Sequence, residues 1–215
     1  MREKSERWAV WSGALAVVLW VIGIFVIESG DAPGGDATDA ELLAYYDENA
    51  NTILAGSWIF MLGCLAFLVF AVVLRERLRE AAPTSRLFTN VAWVGSLATG
   101  IFLMLTSGPD VAASISNDDI SEAAAAAAAM LGDAFFVAAE LSAVLLMLGV
   151  GAMALTRVLF PAGWGWFSFV VALILLIGPI GWAALIFGLP LWVLGTTWFL
   201  ARRDPATAAA TTEET

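Results

Sequence analysis

Long apolar runs alternate with short charged segments along the whole chain. The first run, Trp8–Ile27, has 20 residues without a charge and follows a charged start. A helix needs about 20 mostly apolar residues to cross the hydrocarbon core of a bilayer. The pattern therefore predicts an all-α bundle of six transmembrane helices, at about 8–27, 53–74, 87–105, 134–155, 160–177 and 181–201.

A secretory signal peptide is the alternative interpretation of the first run. The apolar region of such a peptide normally has about 7–15 residues, which is shorter than this run. No small-x-small cleavage pattern is visible around Glu28-Ser29-Gly30. We therefore interpret the run as the first span.

Two capping-box patterns predict helix starts outside the spans. Thr38 with Glu41 predicts a short interfacial helix over 38–48 in the first non-cytoplasmic loop. Asp119 with Glu122 starts a second outer segment, which continues as a helix to about Leu155. That helix is about 50 Å long, so its outer part is expected to stand outside the bilayer.

Glycine and proline predict where helices break. We expect a break at 107–110, and a turn at 178–181 that divides the 44 uncharged residues from Val158 to Ala201 into two spans. The chain is then one membrane domain over 1–203, followed by a disordered cytoplasmic tail over 204–215.

The composition agrees with a polytopic membrane protein. Apolar residues make up 60% of the chain and the mean hydropathy is +0.85, which leaves no room for a separate soluble domain. The single cysteine, Cys64, lies in an apolar run and is expected to be a small core residue. Because the chain has no histidine, histidine-ligated haem or zinc and serine–histidine nucleophile pairs are excluded.

The charges predict the orientation. Threading six spans from a cytoplasmic start puts all ten Lys and Arg on one side, and twelve acids on the other. The positive-inside rule then places both termini in the cytoplasm. We expect a multi-pass protein of a bacterial cytoplasmic (inner) membrane.

Short motifs occur at 160–166, 179–182, 190–192, 202–203, 74–78 and 132–136. They resemble those of small integral membrane proteins of actinobacteria, a group without an established activity. In that group a leucine-proline-x-tryptophan-leucine-glycine-tryptophan element opens the penultimate span. This chain differs in having Ala162-Gly163 before the tryptophan and Gly165 after it. The resemblance supports the helix count and implies no functional residue.

Glu140 is the sharpest candidate for a proton or ion site, because it is the one ionisable residue placed within a span. Asp133 lies seven residues earlier, so the two carboxyl groups share a helix face about 10 Å apart. Intramembrane carboxyl groups often line proton or ion paths. The alternative is a structural carboxyl group that is hydrogen-bonded to Ser, Thr or Trp on a neighbouring helix.

Gly188 and Pro190 predict a kink inside the last span, since proline removes a backbone hydrogen bond. Broken helices form substrate sites in some transporters, but proline kinks are also ordinary in membrane helices. Small-residue pairs such as Ser96 and Gly100 allow close helix approach, either within the bundle or in a homo-oligomer.

Three functions remain open, and none is enzymatic, since no known catalytic signature is present. The leading one is an accessory or structural membrane protein that acts through helix–helix contacts. The second is a small proton- or cation-coupled transporter that uses Glu140. The third is a lipid-handling protein whose outer helices, 38–48 and 119–132, gate a cavity. We expect the bilayer, a second copy or another membrane protein as partners, and no nucleic acid, metal or cofactor.

Overall fold

The computed structural model describes residues 8–30, 33–34, 37–116 and 119–202, and every regular element in these ranges is a helix. The charged start, parts of the first loop and the predicted tail 204–215 lie outside the described residues. We number the helices α1 to α6. They are Ser12–Ile27, Asp39–Ala81, Arg86–Ile115, Glu122–Leu155, Ala162–Leu175 and Gly178–Arg202.

Five of these helices are long and apolar enough to cross a membrane: α1, with the turn that precedes it, α2, α3, α4 and α6. The fifth, α5, is apolar but has only 14 residues. At 1.5 Å per residue it is about 21 Å long, which is less than the roughly 30 Å core. The helix is two residues shorter at each end than the predicted span 160–177, because Pro161 precedes it and Leu176 ends it.

Helix α2 is continuous over 43 residues, so the prediction of a separate interfacial helix over 38–48 is wrong. The helix start itself is confirmed. Thr38 accepts a hydrogen bond from the Glu41 amide, and Glu41 reaches back to the Thr38 amide at 2.7 Å. No glycine or proline occurs from Asp39 to Ala55, so nothing in the sequence interrupts the helix. At about 65 Å, α2 is twice as long as the core is thick.

Helix α3 runs through the predicted break at 107–110 and ends at Ile115. Pro109 is buried inside the bundle. Neighbouring helices stabilise a proline-containing helix in such a setting, which explains why the break is absent. The predicted cap of α4 is also wrong: Ser121, not Asp119, caps the helix by accepting a hydrogen bond from the Ala124 amide.

Glycines bring the backbones of α3 and α4 into direct contact. A Cβ atom on Gly149 would lie 2.5 Å from the backbone nitrogen of Ala92, and one on Gly95 would overlap that of Leu146. Such close approach is typical of membrane helices, where packing rather than water drives association. These two glycines lie on facing helices, and each allows the two backbones to pack closely.

The last helix returns to the first. A Cβ atom on Gly13 of α1 would overlap the Thr197 hydroxyl of α6 and lie 2.7 Å from Phe70 of α2. The beginning of α1 and the end of α6 therefore lie at the same end of the bundle. At the opposite end, Tyr46, Ile53, Ala113 and Ala125 form a small apolar cluster, which joins the outer parts of α2, α3 and α4.

Candidate functional site

Glu140 lies midway along α4 on its buried face, with only 5% of its surface exposed. Ala139 and Ala143 beside it on the helix are fully buried, whereas Leu141 points outward. The carboxyl oxygen Oε1 is enclosed and has no hydrogen-bond partner among the described residues. The predicted Ser, Thr or Trp partner of a structural carboxyl group is therefore not found for this oxygen.

Several other buried polar groups in the bundle have partners. The Trp192 indole donates to Ser168 at 2.8 Å, and the Trp164 indole donates to Thr196 at 3.2 Å. The Trp20 indole donates to Cys64 at 3.3 Å, and the burial of this cysteine confirms the prediction of a core residue. The buried hydroxyl groups of Ser57, Ser114 and Thr197 have no partner among the described residues, as is the case for Oε1 of Glu140. Glu140 differs from these three in being a carboxyl group, whose burial without a partner costs more than that of a hydroxyl group.

Gly181 of α6 makes room for the Glu140 carboxyl group. A Cβ atom on Gly181 would overlap Oε1 of Glu140 and would lie 2.6 Å from its Cδ atom. The same Cβ would lie 2.9 Å from the backbone oxygen of Leu175. The carboxyl group thus fills the space of a missing side chain, beside the turn that joins α5 to α6.

The helix that contacts Glu140 is irregular. Helix α6 begins as Gly178–Ala183, passes through a π-helical turn at Ala184–Gly188, and continues as Leu189–Arg202. Pro190 has no N–H to donate, so the carbonyl four residues before it loses its usual α-helical partner. The predicted kink residues Gly188 and Pro190 thus lie at the end of the π turn and just beyond it, and such turns are frequent at functional sites.

Asp133 belongs to a different group of residues from Glu140. It is exposed, and its charge acts on Asp110 in the outer part of α3. Asp110 accepts a hydrogen bond of 2.7 Å from the Tyr46 hydroxyl of α2. The structure therefore places the two carboxyl groups of the predicted site in separate surroundings.

The Tyr46–Asp110 pair lies outside the predicted apolar spans 53–74 and 87–105. Burial raises the pKa of Asp110, the hydrogen bond from Tyr46 opposes this shift, and the Asp133 charge adds to it. Burial also raises the pKa of Tyr46, as does the charge of Asp110. This pair links two helices at the end of the bundle opposite to the Gly13–Thr197 contact.

Sequence reasoning missed three residues of these sites: Gly181, Tyr46 and Asp110. Gly181 was predicted only as part of a turn, and no pattern connects it with a glutamate 41 positions earlier. Tyr46 and Asp110 are 64 positions apart, so their pairing depends on how α2 and α3 pack. The one local sign that Asp110 has a special role is its position next to Pro109 in an apolar helix.

Two surface cavities lie away from Glu140. One, of about 450 Å³, is at the junction of α2 and α3; the other, of about 610 Å³, is at the outer start of α2. Among the described residues, no three Cys, Asp or Glu side chains group as metal ligands would.

No protein-family model matches the chain, and neither a curated protein nor a solved structure shows significant similarity to it.

Proposed function

We propose that this chain is a non-enzymatic integral membrane protein that acts as an accessory or structural subunit through contacts of its lateral surface. In this proposal six helices thread a bacterial inner membrane, with both termini in the cytoplasm. The short α5 acts as the fifth crossing. Gly13 lies close to Thr197, so the beginning of α1 and the end of α6 are at the same end of the bundle. This arrangement supports an even number of crossings.

The proposal rests on the lateral surface of the bundle, which is the surface along the sides of the helices. Large apolar side chains are exposed at spacings of three and four residues along the middle of the helices. The bundle interior is packed closely at the glycines, and both cavities lie at its ends. The apolar lateral surface is thus available for contacts within a membrane. On α2 this stripe is Trp58, Leu62, Leu65, Val69 and Val72, and on α6 it is Phe187, Leu191, Leu194 and Trp198.

A second candidate function is proton- or cation-coupled transport. The specific observation in its favour is that Oε1 of Glu140 has no partner in the part of the chain that the structure describes and lies against Gly181 of an irregular helix. Ionisable groups at such positions commonly mark proton relays, and discontinuous helices commonly form transport sites. In this candidate, a change in the packing of α6 gives Glu140 access to one side of the membrane.

Reconstitution into liposomes separates the two candidates. We would measure proton flux with an enclosed pH-sensitive dye under an imposed gradient, and self-association by energy transfer between labelled copies as the lipid is diluted. The leading proposal expects flux no greater than in protein-free liposomes, together with association that persists on dilution.

The matched variants are Glu140→Gln and Glu122→Gln, which remove the same charge from the same helix. Glu122 is an exposed residue in the first turn of α4. Proton flux that Glu140→Gln abolishes and Glu122→Gln leaves unchanged would overturn the leading proposal in favour of transport. A chain that is monomeric at every dilution would contradict self-association and leave another membrane protein as the partner.

A further inference from the structure

The cavity between the end of α2 and the start of α3 is lined mainly by polar and charged side chains. Its volume is about 450 Å³. Arg75, Arg79 and Arg86 contribute the cations, and Thr89 and Asn90 contribute polar groups from the first turns of α3. The cavity is therefore built from two helix ends and the turn between them.

The acids of this cavity are already paired. Glu76 lies 3.7 Å from Arg75 and 3.4 Å from Arg79, and Glu80 lies 3.4 Å from Arg77. Arg86 has no acidic partner within the described part of the chain, and its charge is not cancelled locally. The segment from Arg75 to Asn90 has four arginines and two glutamates, so it keeps a net positive charge.

Arg75 is held in place at the wall of the cavity. Its guanidinium group lies 5.0 Å from the centre of the Trp93 ring, a cation–π contact that orients the group. Its Nε atom is buried and has no hydrogen-bond partner in the described residues. The Asn90 side chain is exposed and makes no hydrogen bond within them. Donors therefore outnumber acceptors in the cavity.

The position of the cavity indicates where its ligand comes from. The exposed side chains of Leu87 and Phe88 lie next to Arg86 in sequence, at the start of a predicted span. A ligand that satisfies both surfaces has an anionic head and an apolar body. Arginine suits phosphate in particular, since its planar group forms paired hydrogen bonds with phosphate oxygens.

We propose that this cavity binds the phosphate of an anionic phospholipid headgroup. Arg86 and Arg75 contact the phosphate, Asn90 donates a further hydrogen bond, and the acyl chains lie along Leu87 and Phe88. Basic pockets between helices on the cytoplasmic side are known to recognise such headgroups. The site would anchor the α2–α3 turn at the membrane surface, and it does not depend on Glu140.

Thermal unfolding of the purified full chain in a neutral detergent tests the proposal. The melting temperature is measured against added phosphatidylglycerol, phosphatidylcholine and inorganic phosphate. We expect a saturable increase with phosphatidylglycerol, and a small one with the other two. Arg86→Gln is expected to raise the apparent Kd for phosphatidylglycerol about fivefold, as one arginine contact with an anionic lipid surface would. Asn90→Ala is expected to weaken binding in the same direction.

Arg157→Gln is the control, because Arg157 is an exposed arginine outside the cavity and the charge change is the same. An equal loss of binding in this variant would show diffuse attraction to surface charge and overturn the proposal. So would a Kd for Arg86→Gln equal to that of wild type. If inorganic phosphate alone gives the full increase in melting temperature, the site binds a soluble anion and the lipid assignment is wrong.

Discussion

At the scale of residues, the most informative contact is the one between Glu140 and Gly181. Glycine at 181 is required because a side chain there would occupy the position of the Glu140 carboxyl group. The two residues therefore act as one unit, in which one side chain fills the space that the other lacks. Substituting either residue alone changes the environment of the other.

We predict that Gly181→Ala lowers the free energy of unfolding by about 1–3 kcal/mol, the usual cost of overpacking. Gly178→Ala is the control, since nothing lies within 4 Å of a Cβ atom there. In a Glu140→Ala background the cost of Gly181→Ala should decrease, because the overlap with Oε1 is gone. The free energy of unfolding is measured in detergent, with denaturant or heat, for wild type, Gly181→Ala, Glu140→Ala and the double variant. Strictly additive effects of the two substitutions would contradict the coupling.

The Tyr46–Asp110 pair gives a prediction about pH. Burial raises the pKa of Asp110 above its usual 3.8, so the folded state prefers the protonated carboxyl group. This contribution to stability is complete below about pH 3.8 and is lost as the pH rises through the folded-state pKa. Asp110→Asn, which resembles the protonated form and still accepts from Tyr46, should be more stable than wild type at neutral pH.

Tyr46→Phe should have the opposite effect. It removes the donor that stabilises the Asp110 carboxylate, and such hydrogen bonds to charged groups contribute about 1.5–3 kcal/mol. Unfolding measured from pH 4 to pH 9 compares the three proteins. A wild-type profile that is as flat as that of Asp110→Asn would show that the carboxyl group carries no burial cost.

At the scale of elements, the α3–α4 pair depends on glycines at its contact. Gly95→Ala or Gly149→Ala should each cost about 1–3 kcal/mol, because backbone atoms rather than flexible side chains meet the new methyl group. Gly108→Ala is the matched control in α3, with nothing within 4 Å of its Cβ position. It should be neutral or stabilising by about 0.5–1 kcal/mol, the usual helix preference for alanine. A destabilisation by Gly108→Ala equal to that of Gly95→Ala would contradict this explanation.

Helix starts and helix ends were not equally predictable from the sequence. The capping box at Thr38 is a local pattern, and it was predicted correctly. The continuation of α3 through Pro109 depends on burial by neighbouring helices, which no local pattern contains. The same holds for the π turn at Ala184–Gly188, where Pro190 indicated an irregularity but not its form. Local rules therefore predicted the start of α2 but misplaced the cap of α4 by two residues, and tertiary packing decided the breaks.

At the scale of the whole molecule, hydropathy predicted the helical class, and five of the six predicted spans lie in long apolar helices, because both depend on composition along the chain. It could not predict that α5 stops after 14 residues or that Glu140 meets Gly181, since both depend on the fit between helices. The pairing of distant residues is thus the part of the site that sequence reasoning could not reach.

Cysteine labelling tests the proposed threading. In a Cys64→Ala background, single cysteines would replace the exposed residues Thr84, Ala123 and Ala201. A membrane-impermeant maleimide should label position 123 in intact cells, and positions 84 and 201 only after permeabilisation. Labelling of position 201 from outside, with position 84 protected, would indicate an odd number of crossings and contradict the proposed fifth span.

The shortness of α5 has a consequence for the surrounding lipid. As the proposed fifth crossing, the helix falls about 9 Å short of a typical hydrocarbon core, which would give one flank of the bundle a hydrophobic mismatch. The tip beyond it is uncharged, and Leu176, Ile177 and Ile180 are exposed there, so acyl chains can cover it. Mismatch costs fractions of a kcal/mol per Å, and the bilayer reduces this cost by thinning locally. As the proposed fifth crossing, this 14-residue helix would give the protein a preference for thin regions of membrane.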